Sequence, residues 1–126
     1  MQIYKTKVFQ RFQRRESIKD AALCAAVERA ELGLVDADLG RGLIKQRVAR
    51  EGGGRRGGYR TIVAYRVGTR AAFIFGFAKS GRENIQAADE RDFGDTGAML
   101  LGLTAKGIEA LIEGGELWKV ECDGKS

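Results

Sequence analysis

The chain has 126 residues, of which 44% are apolar and 31% charged, with a net charge of +5 and neither histidine nor proline. This length fits one domain, so we predict a single domain over residues 1–126. No apolar run approaches the roughly 18 residues of a membrane span, and the N-terminus has no apolar segment of the signal-peptide type. We therefore expect a soluble, cytoplasmic protein without a membrane partner, in which Cys24 and Cys122 stay reduced.

The chain is predicted to begin with a short strand at residues 3–6 and a helix at residues 7–15. The apolar side of this helix is predicted to contain three residues: Val8, Phe9 and Phe12. Ser17 is predicted to be the N-cap of a second helix, because Asp20 follows three residues later in a variant of the capping box. That helix runs to about Gly33, with apolar residues at helical spacing: Val27, Ala30 and Leu34.

Three consecutive strands are then predicted to form an antiparallel meander. In residues 44–48 (IKQRV), Ile44, Gln46 and Val48 alternate with Lys45 and Arg47 as in a strand with two unlike faces, which places both cations on one face. Residues 59–67 are apolar on both sides, as in a central strand. Residues 71–78 (AAFIFGFA) form the returning strand after a two-residue loop at Gly68 and Thr69.

The last third of the chain is predicted to be helical before a final strand. Gly94 and Gly97 each weaken a helix interior by about 1 kcal/mol relative to alanine. Thr104 is predicted to cap a shorter helix that ends at Gly114. The final strand (ELWKVEC) is predicted to have three residues on one face: Trp118, Val120 and Cys122. The fold class is α+β, with helices packed on a curled antiparallel sheet.

Positive charge is concentrated in one part of the chain. Residues 41–70 contain nine Lys or Arg and one acid, a balance of +8, so the net charge of +5 leaves −3 for the rest. This concentration is typical of a protein that binds a polyanion, with an acidic protein segment as the alternative partner. The acidic pairs elsewhere, such as Asp36 with Asp38, are predicted to be solvated.

The absence of histidine limits the possible chemistry. The usual general base is missing, and no Ser-His or Cys-His nucleophile can be assembled. Two cysteines are too few for the usual four-ligand zinc site, so we expect no metal site and no cofactor. Lysine and arginine side chains therefore remain as the candidate catalytic groups.

Five cations are predicted to converge on one concave region of the sheet: Lys45, Arg47, Arg60, Lys79 and Arg82. Such an array can hold a phosphodiester and stabilise the extra negative charge of a pentavalent transition state. Arginine stays protonated, whereas a lysine among other cations gives up its proton more easily. Lys45 is therefore the candidate general base. The alternative is that these cations only keep the protein soluble.

The glycine-rich segment GGGRRGG, residues 52–58, allows two interpretations. It is either a flexible surface turn or a loop that approaches nucleic acid closely through its backbone and two arginines. The candidate RNA-binding residues in and before this segment are Arg50, Arg55 and Arg56.

The combination GLIKQRVAR, GGYRT and FGFAKSGRENI resembles the RelE/HigB group of toxins from bacterial type II toxin–antitoxin systems, and the resemblance extends along nearly the whole chain. It implies a RelE-like single domain, with N-terminal helices on a curled antiparallel sheet, C-terminal helices and a final strand. It also implies a ribosome-dependent endoribonuclease that cleaves mRNA and is inhibited by an antitoxin protein. In such toxins the ribose 2′-hydroxyl attacks the adjacent phosphate.

The resemblance also assigns roles to residues. Lys45 and Arg47 fall on the strand that carries paired basic residues in the family, and Arg60 matches the arginine of its GYR motif. Lys79 and Arg82 fall in the basic segment after the third strand.

This chain departs from the family at one position. The best-known members carry a tyrosine that stacks on the substrate base, whereas Ile85 and Gln86 occupy that vicinity here. Two alternatives therefore stay open: a RelE-fold binding module without nuclease activity that acts with an antitoxin, and a ParE-like toxin directed at DNA gyrase.

Overall fold

The computed structural model describes residues 1–50, 54–78 and 87–122, and within them the side chains of all residues except 54–57, 87 and 88. Four helices lie in this part of the chain: α1 (Lys7–Glu16), α2 (Asp20–Glu31), α3 (Ala87–Gly102) and α4 (Ala105–Glu113). It also contains six strands: β1 (Gln2–Thr6), β2 (Ala37–Gly40), β3 (Leu43–Arg50), β4 (Gly54–Arg66), β5 (Arg70–Ala78) and β6 (Leu117–Lys119). Within the described ranges, no helix has the length and apolar character needed to cross a membrane.

The six strands form one mixed sheet in the order β2-β3-β4-β5-β1-β6. Neighbouring strands are antiparallel, as predicted, except β1 and β5, which are parallel because β1 inserts between β5 and β6. The predicted α+β class and the predicted meander, now β3, β4 and β5, are confirmed. Strand β2 was not predicted, because its four residues (ADLG) contain no apolar run and form a strand only by pairing with β3.

The sheet has an apolar core on each face, so the protein has three layers. The core under α1 and α2 contains these fully buried side chains: Phe9, Leu23, Val48, Val63 and Phe73. The core under α3 and α4 contains these buried side chains: Leu43, Ile62, Ala64, Ile74 and Leu100. Successive residues of β4 belong to opposite cores, which confirms that this strand is buried on both sides.

The junction between α1 and α2 differs from the prediction. Ser17 adopts the left-handed conformation (φ 58°), and its N–H donates to the carbonyl of Arg14 at the end of α1. Ser17 is therefore the C-cap of α1, and the N-cap of α2 is Lys19.

A buried polar network takes the place of the predicted capping box. Lys5 donates from Nζ to Asp20 Oδ1 (2.9 Å) and to Gln13 Oε1 (2.7 Å), and the backbone N–H of Glu121 donates to Asp20 Oδ2 (2.9 Å). Burial raises the pKa of Asp20, but the hydrogen bonds from Gln13 and Glu121 and the charge of Lys5 outweigh it. The pKa of Asp20 consequently lies below its ordinary value, and its carboxylate joins β1, α2 and the C-terminal segment.

Several apolar residues lie elsewhere than predicted. Val8 and Leu34, assigned to helix faces that meet the core, are 53% and 58% exposed. In the last strand Leu117 enters the core, and Trp118 is only half-buried. Val120 is buried as predicted, although β6 has already ended at residue 119, so strand alternation does not govern its direction.

The turn between β4 and β5 has three residues, Val67, Gly68 and Thr69, rather than the predicted two. Arg66 and Arg70 pair across it, and the N–H of Thr69 donates to the carbonyl of Arg66 (3.0 Å). Gly68 has a positive φ of 68°, which suits glycine.

Gly94 and Gly97 lie within α3 and do not interrupt it. A Cβ on Gly97 would lie 3.1 Å from the Cβ of Ala64, so the missing side chain lets α3 approach the sheet closely. Thr104 caps α4 as predicted, because its hydroxyl accepts from a backbone N–H of the first turn (3.1 Å). The helix ends at Gly114, also as predicted.

The two cysteines are joined, so the prediction that they stay reduced is wrong. Cys24 and Cys122 form a disulfide with their Cα atoms 5.5 Å apart. Cys24 lies on the buried side of α2, and Cys122 follows β6 at the opposite end of the chain. The fold brings together two residues separated by 98 positions, which the spacing in the sequence does not reveal.

Candidate functional site

Three predicted site residues meet on the face of the sheet that α3 and α4 partly cover. Lys45 and Arg47 are two residues apart on β3, so their side chains leave the same face. Arg60 of β4 lies directly opposite Arg47 in the antiparallel register, and Cβ atoms in such positions are about 4.5–5.5 Å apart. Leu43 and Ile62, on the same side of these strands, belong to the core under α3 and α4. We call Lys45, Arg47 and Arg60 the cationic face.

The cationic face is not neutralised by acids of the described structure. Among residues 1–50, 54–78 and 87–122, no ion pair involves Lys45, Arg47 or Arg60. Like charges directly opposite one another destabilise a sheet, so this arrangement works against folding. It is suited instead to a ligand that carries several negative charges.

Gln46 lies between Lys45 and Arg47 and anchors β3 to the α2 layer. It is 1% exposed. Its amide nitrogen donates to two backbone carbonyls in and after α2 (both 3.0 Å), and its amide oxygen accepts from the N–H of Asp36 (3.0 Å). Both donors and the acceptor therefore have partners. Because side chains alternate along a strand, an amide fixed on one face holds its two neighbours on the other.

Asp36 is exposed, as expected for a solvated acid, and it also positions β3. Its Oδ2 accepts from the backbone N–H of Arg47 (2.7 Å) and from the guanidinium of Arg29 (2.9 Å). Arg29 also donates to the carbonyl of Arg47 (3.1 Å). In the described structure the pairing of β2 with β3 ends at Lys45, so these two side chains satisfy backbone groups that a neighbouring strand would otherwise satisfy. No local pattern distinguishes Asp36 from a solvated aspartate.

An aromatic strip lies beside the cationic face. Phe77 of β5 is directly opposite Arg60, and a bulge at Ile74 lets Phe75 and Phe77 lie on that same face. The ring of Phe75 is 6.2 Å from that of Phe77 and stacks on Phe93 of α3 at 4.9 Å between centroids. No aromatic platform was predicted from the segment after β5, whereas the run FIFGF within β5 contains these rings.

The sequence matches a family model described as the RelE toxin of the RelE / RelB toxin–antitoxin system, over residues 1–120. The chain belongs to the RelE toxin family. As a RelE-family toxin, it is one component of a toxin–antitoxin system, and its partner is an antitoxin. The α+β structure fits the RelE-like single domain that the resemblance implied. The comparison with curated proteins found no match.

Other cations of this RelE-family toxin hold α3 in place. Arg66 and Arg70 donate to the last carbonyls of α3 and to the one after it, at 2.8–2.9 Å. Arg41 forms an ion pair with Asp95 of α3 (3.0 Å). The carbonyls at the end of a helix lack partners within the helix, so Arg66 and Arg70 act as its C-terminal caps. Part of the positive charge counted in residues 41–70 is therefore structural.

Arg50, predicted to bind RNA, lies on the other side of the sheet of the RelE-family toxin. Its guanidinium is 5.7 Å from the ring centroid of Tyr59, which belongs to the core under α1 and α2. Strand alternation places Arg50 on the same face as Val48, two residues earlier, and opposite to Arg47. Two further RNA-binding candidates lie in β4 with their side chains outside the described part of the structure: Arg55 and Arg56. Two predicted catalytic residues lie outside the described residues: Lys79 and Arg82.

Proposed function

We propose that this toxin is an endoribonuclease that cleaves mRNA on the ribosome and thereby inhibits translation. The observation that carries the proposal is the register of β3 and β4, which sets Arg47 opposite Arg60 with Lys45 on the same face. No described acid is paired with these three cations. Since the chain has no histidine, proton transfer and charge stabilisation fall to lysine and arginine.

In the proposed reaction, the ribose 2′-oxygen attacks the adjacent phosphorus, the bond from phosphorus to the 5′-oxygen breaks, and a 2′,3′-cyclic phosphate remains. Lys45 accepts the proton of the 2′-hydroxyl. Arg47 and Arg60 donate to phosphate oxygens whose negative charge grows in the pentavalent transition state. Lys79 and Arg82 contact the phosphate or stabilise the leaving 5′-oxygen, which takes a proton from solvent.

The aromatic strip favours RNA over a simple anion as the substrate. Phe75 and Phe77 lie on the same face of the sheet as Arg60, so a base of an RNA held by the cations would lie next to aromatic rings. Stacking of a base on an aromatic ring contributes about 1–3 kcal/mol. We propose that Phe75 takes the place of the stacking tyrosine that the resemblance would lead one to expect.

The proposal is tested by induced expression without antitoxin, with mRNA ends mapped across translated regions. Wild type is compared with Arg60→Ala and with Arg11→Ala, which removes an exposed arginine of α1. We expect growth arrest and new cuts in wild type and Arg11→Ala. Arg60→Ala should lower the cleavage rate by at least about a hundredfold, because it removes a charged donor to the transition state.

Lys45→Ala and Lys45→Arg test whether Lys45 acts as a general base or contributes only its positive charge. If Lys45 accepts the proton, both variants lose cleavage, because arginine keeps the charge but cannot accept a proton. Full activity of Lys45→Arg would contradict the role of a base.

Two results would overturn the nuclease proposal as a whole. Growth arrest with intact mRNA and damaged DNA would identify a gyrase-directed toxin. Absence of arrest in every strain would leave a binding module that acts with its antitoxin.

A further inference from the structure

A second cationic site lies on the opposite side of the sheet from the cationic face. An open cavity of about 620 Å³ is bounded by the end of α1, the start of α2 and the end of β3. Its lining includes Arg15, Glu16, Arg50 and Tyr59. The volume falls within the range of about 300–1,000 Å³ that is usual for small-molecule sites, so the cavity can hold more than a single phosphate.

Two arginines of this cavity rest on one aromatic pair. Phe12 and Tyr59 meet edge to face, with their ring centroids 5.5 Å apart. The guanidinium of Arg15 lies 5.7 Å from the Phe12 centroid, and that of Arg50 lies 5.7 Å from the Tyr59 centroid. Such cation–π contacts hold a guanidinium over a ring while leaving its N–H groups available to a ligand.

These arginines have little competition from carboxylates. Within the described structure the acid contact of Arg15 is with Glu16, at the limiting distance of 4.0 Å, and Arg50 forms no ion pair. Glu16 lines the cavity together with Tyr59. A carboxylate can accept several hydrogen bonds, so Glu16 retains capacity to accept from a ligand.

The mixture of groups favours a nucleotide. The two guanidinium groups match the negative oxygens of a phosphate, and the carboxylate of Glu16 matches an amino group on a base edge. An acidic peptide segment would bring its charge next to Glu16, which is unfavourable. The closeness of the cavity to the cationic face also favours RNA as the ligand. Tyr59 directly precedes Arg60 of the cationic face, and Arg50 follows Arg47 by three residues.

We propose that this cavity, which we call the α1–α2 cavity, is a second RNA-binding site. It holds one nucleotide of the RNA strand, at a position outside the cationic face. The inference rests on the proposed function, since it assigns RNA as the ligand of both sites. An RNA strand that crosses the edge of β3 would contact Arg47 on one side and Arg50 on the other. The α1–α2 cavity would add affinity without contacting the reacting phosphate.

The test is fluorescence anisotropy with a labelled RNA of about twelve nucleotides that carries 2′-O-methyl groups and so cannot be cleaved. The test variant is Arg15→Gln with Arg50→Gln. The matched control is Arg11→Gln with Arg14→Gln, which removes the same charge from exposed positions of α1 that do not line the cavity. All four arginines are exposed, and thermal unfolding checks that both variants are folded.

We expect the test variant to bind the RNA at least about tenfold more weakly, because charged hydrogen bonds to phosphate are lost. Each lost phosphate contact should also reduce the slope of log affinity against log salt by about 0.7. The control should bind within about twofold of wild type, since exposed charges away from a ligand are largely screened. Equal losses in both variants would overturn the inference, because they would show only an effect of total charge.

Two further arms separate this inference from the proposed function. If Arg60→Gln weakens RNA binding and the cavity variant does not, the cavity inference falls and the cationic face stands. If neither variant weakens it, RNA binding by both sites is contradicted. A labelled peptide of twelve glutamates that binds wild type but not the cavity variant, with RNA binding unchanged, would overturn the inference and assign the cavity to an acidic protein segment.

Discussion

Gln46 is the residue on which the position of the cationic face depends most directly. It is buried within an apolar layer, yet each hydrogen-bonding group of its side chain has a partner. A buried polar group with partners costs little, whereas the same group without them costs about 1–3 kcal/mol. Alternation along the strand groups Gln46 with Ile44 and Val48, but its polarity carries no signal about its partners.

We expect Gln46→Leu to lower the free energy of unfolding by about 2–4 kcal/mol. The N–H of Asp36 and the carbonyl of Leu34 would each lose a buried partner, and unpaired groups of this kind cost about 1–3 kcal/mol each. Urea denaturation, followed by the fluorescence of the single tryptophan, measures the change.

The control for this experiment is Gln10→Leu. The amide oxygen of Gln10 is buried without a hydrogen-bond partner in the described structure, so its replacement by an apolar side chain should be neutral or stabilising. Equal losses in the two variants would contradict the positioning role of Gln46.

At the scale of elements, α1 and β5 approach each other at Gly76. A Cβ at this position would lie 2.5 Å from Cε2 of Phe12 and 3.1 Å from Cε1 of Phe9. The ring of Phe12 is 5% exposed and packs edge to face against Tyr59, so it has little room to move. The glycine in the apolar run of β5 is thus a point of helix contact, which the sequence pattern did not distinguish from a weak strand position.

Gly76→Ala should lower the free energy of unfolding by about 1–3 kcal/mol, as is usual when extra atoms are forced into a packed core. Thermal denaturation measures the loss. Gly102→Ala is the matched control, because a Cβ there meets no atom within 4 Å. An unchanged melting temperature for Gly76→Ala would show that α1 shifts without cost.

At the scale of the whole molecule, the C-terminal segment is tied to the N-terminal half at several points. The N–H of Val120 donates to the carbonyl of Ile3, that of Glu121 to Asp20, and Cys122 is bonded to Cys24. These contacts close the chain between its first strand and its last. A cross-link over a long loop restricts the unfolded chain strongly, so the disulfide should contribute much of this stability.

Reduction of the disulfide is expected to lower the free energy of unfolding by about 2–4 kcal/mol. Urea denaturation with and without dithiothreitol measures this difference. A double variant, Cys24→Ala with Cys122→Ala, should match the reduced wild type and should not respond to dithiothreitol. A stability that is the same in oxidised and reduced protein would show that the reduced segment stays docked by hydrogen bonds alone.

The parts of the fold that could be predicted are those with a local pattern. The alternation of IKQRV placed Lys45 and Arg47 on one face, and the apolar runs marked β4 and β5. Thr104 and Gly114 marked the ends of α4, because caps act within one turn of a helix. Ser17 was misplaced because the same residue type also ends a helix when it adopts a left-handed conformation.

The amino-acid pattern alone is thus enough to identify the helices, the main strands, the concentration of cations and the family, because each follows from neighbouring residues or from motifs in order. The pairing of Arg47 with Arg60 and the position of Phe77 beside the cationic face became evident only from the three-dimensional fold. It alone paired the two cysteines. These features depend on strand register, a bulge and the meeting of residues far apart in the chain, and no local periodicity encodes them.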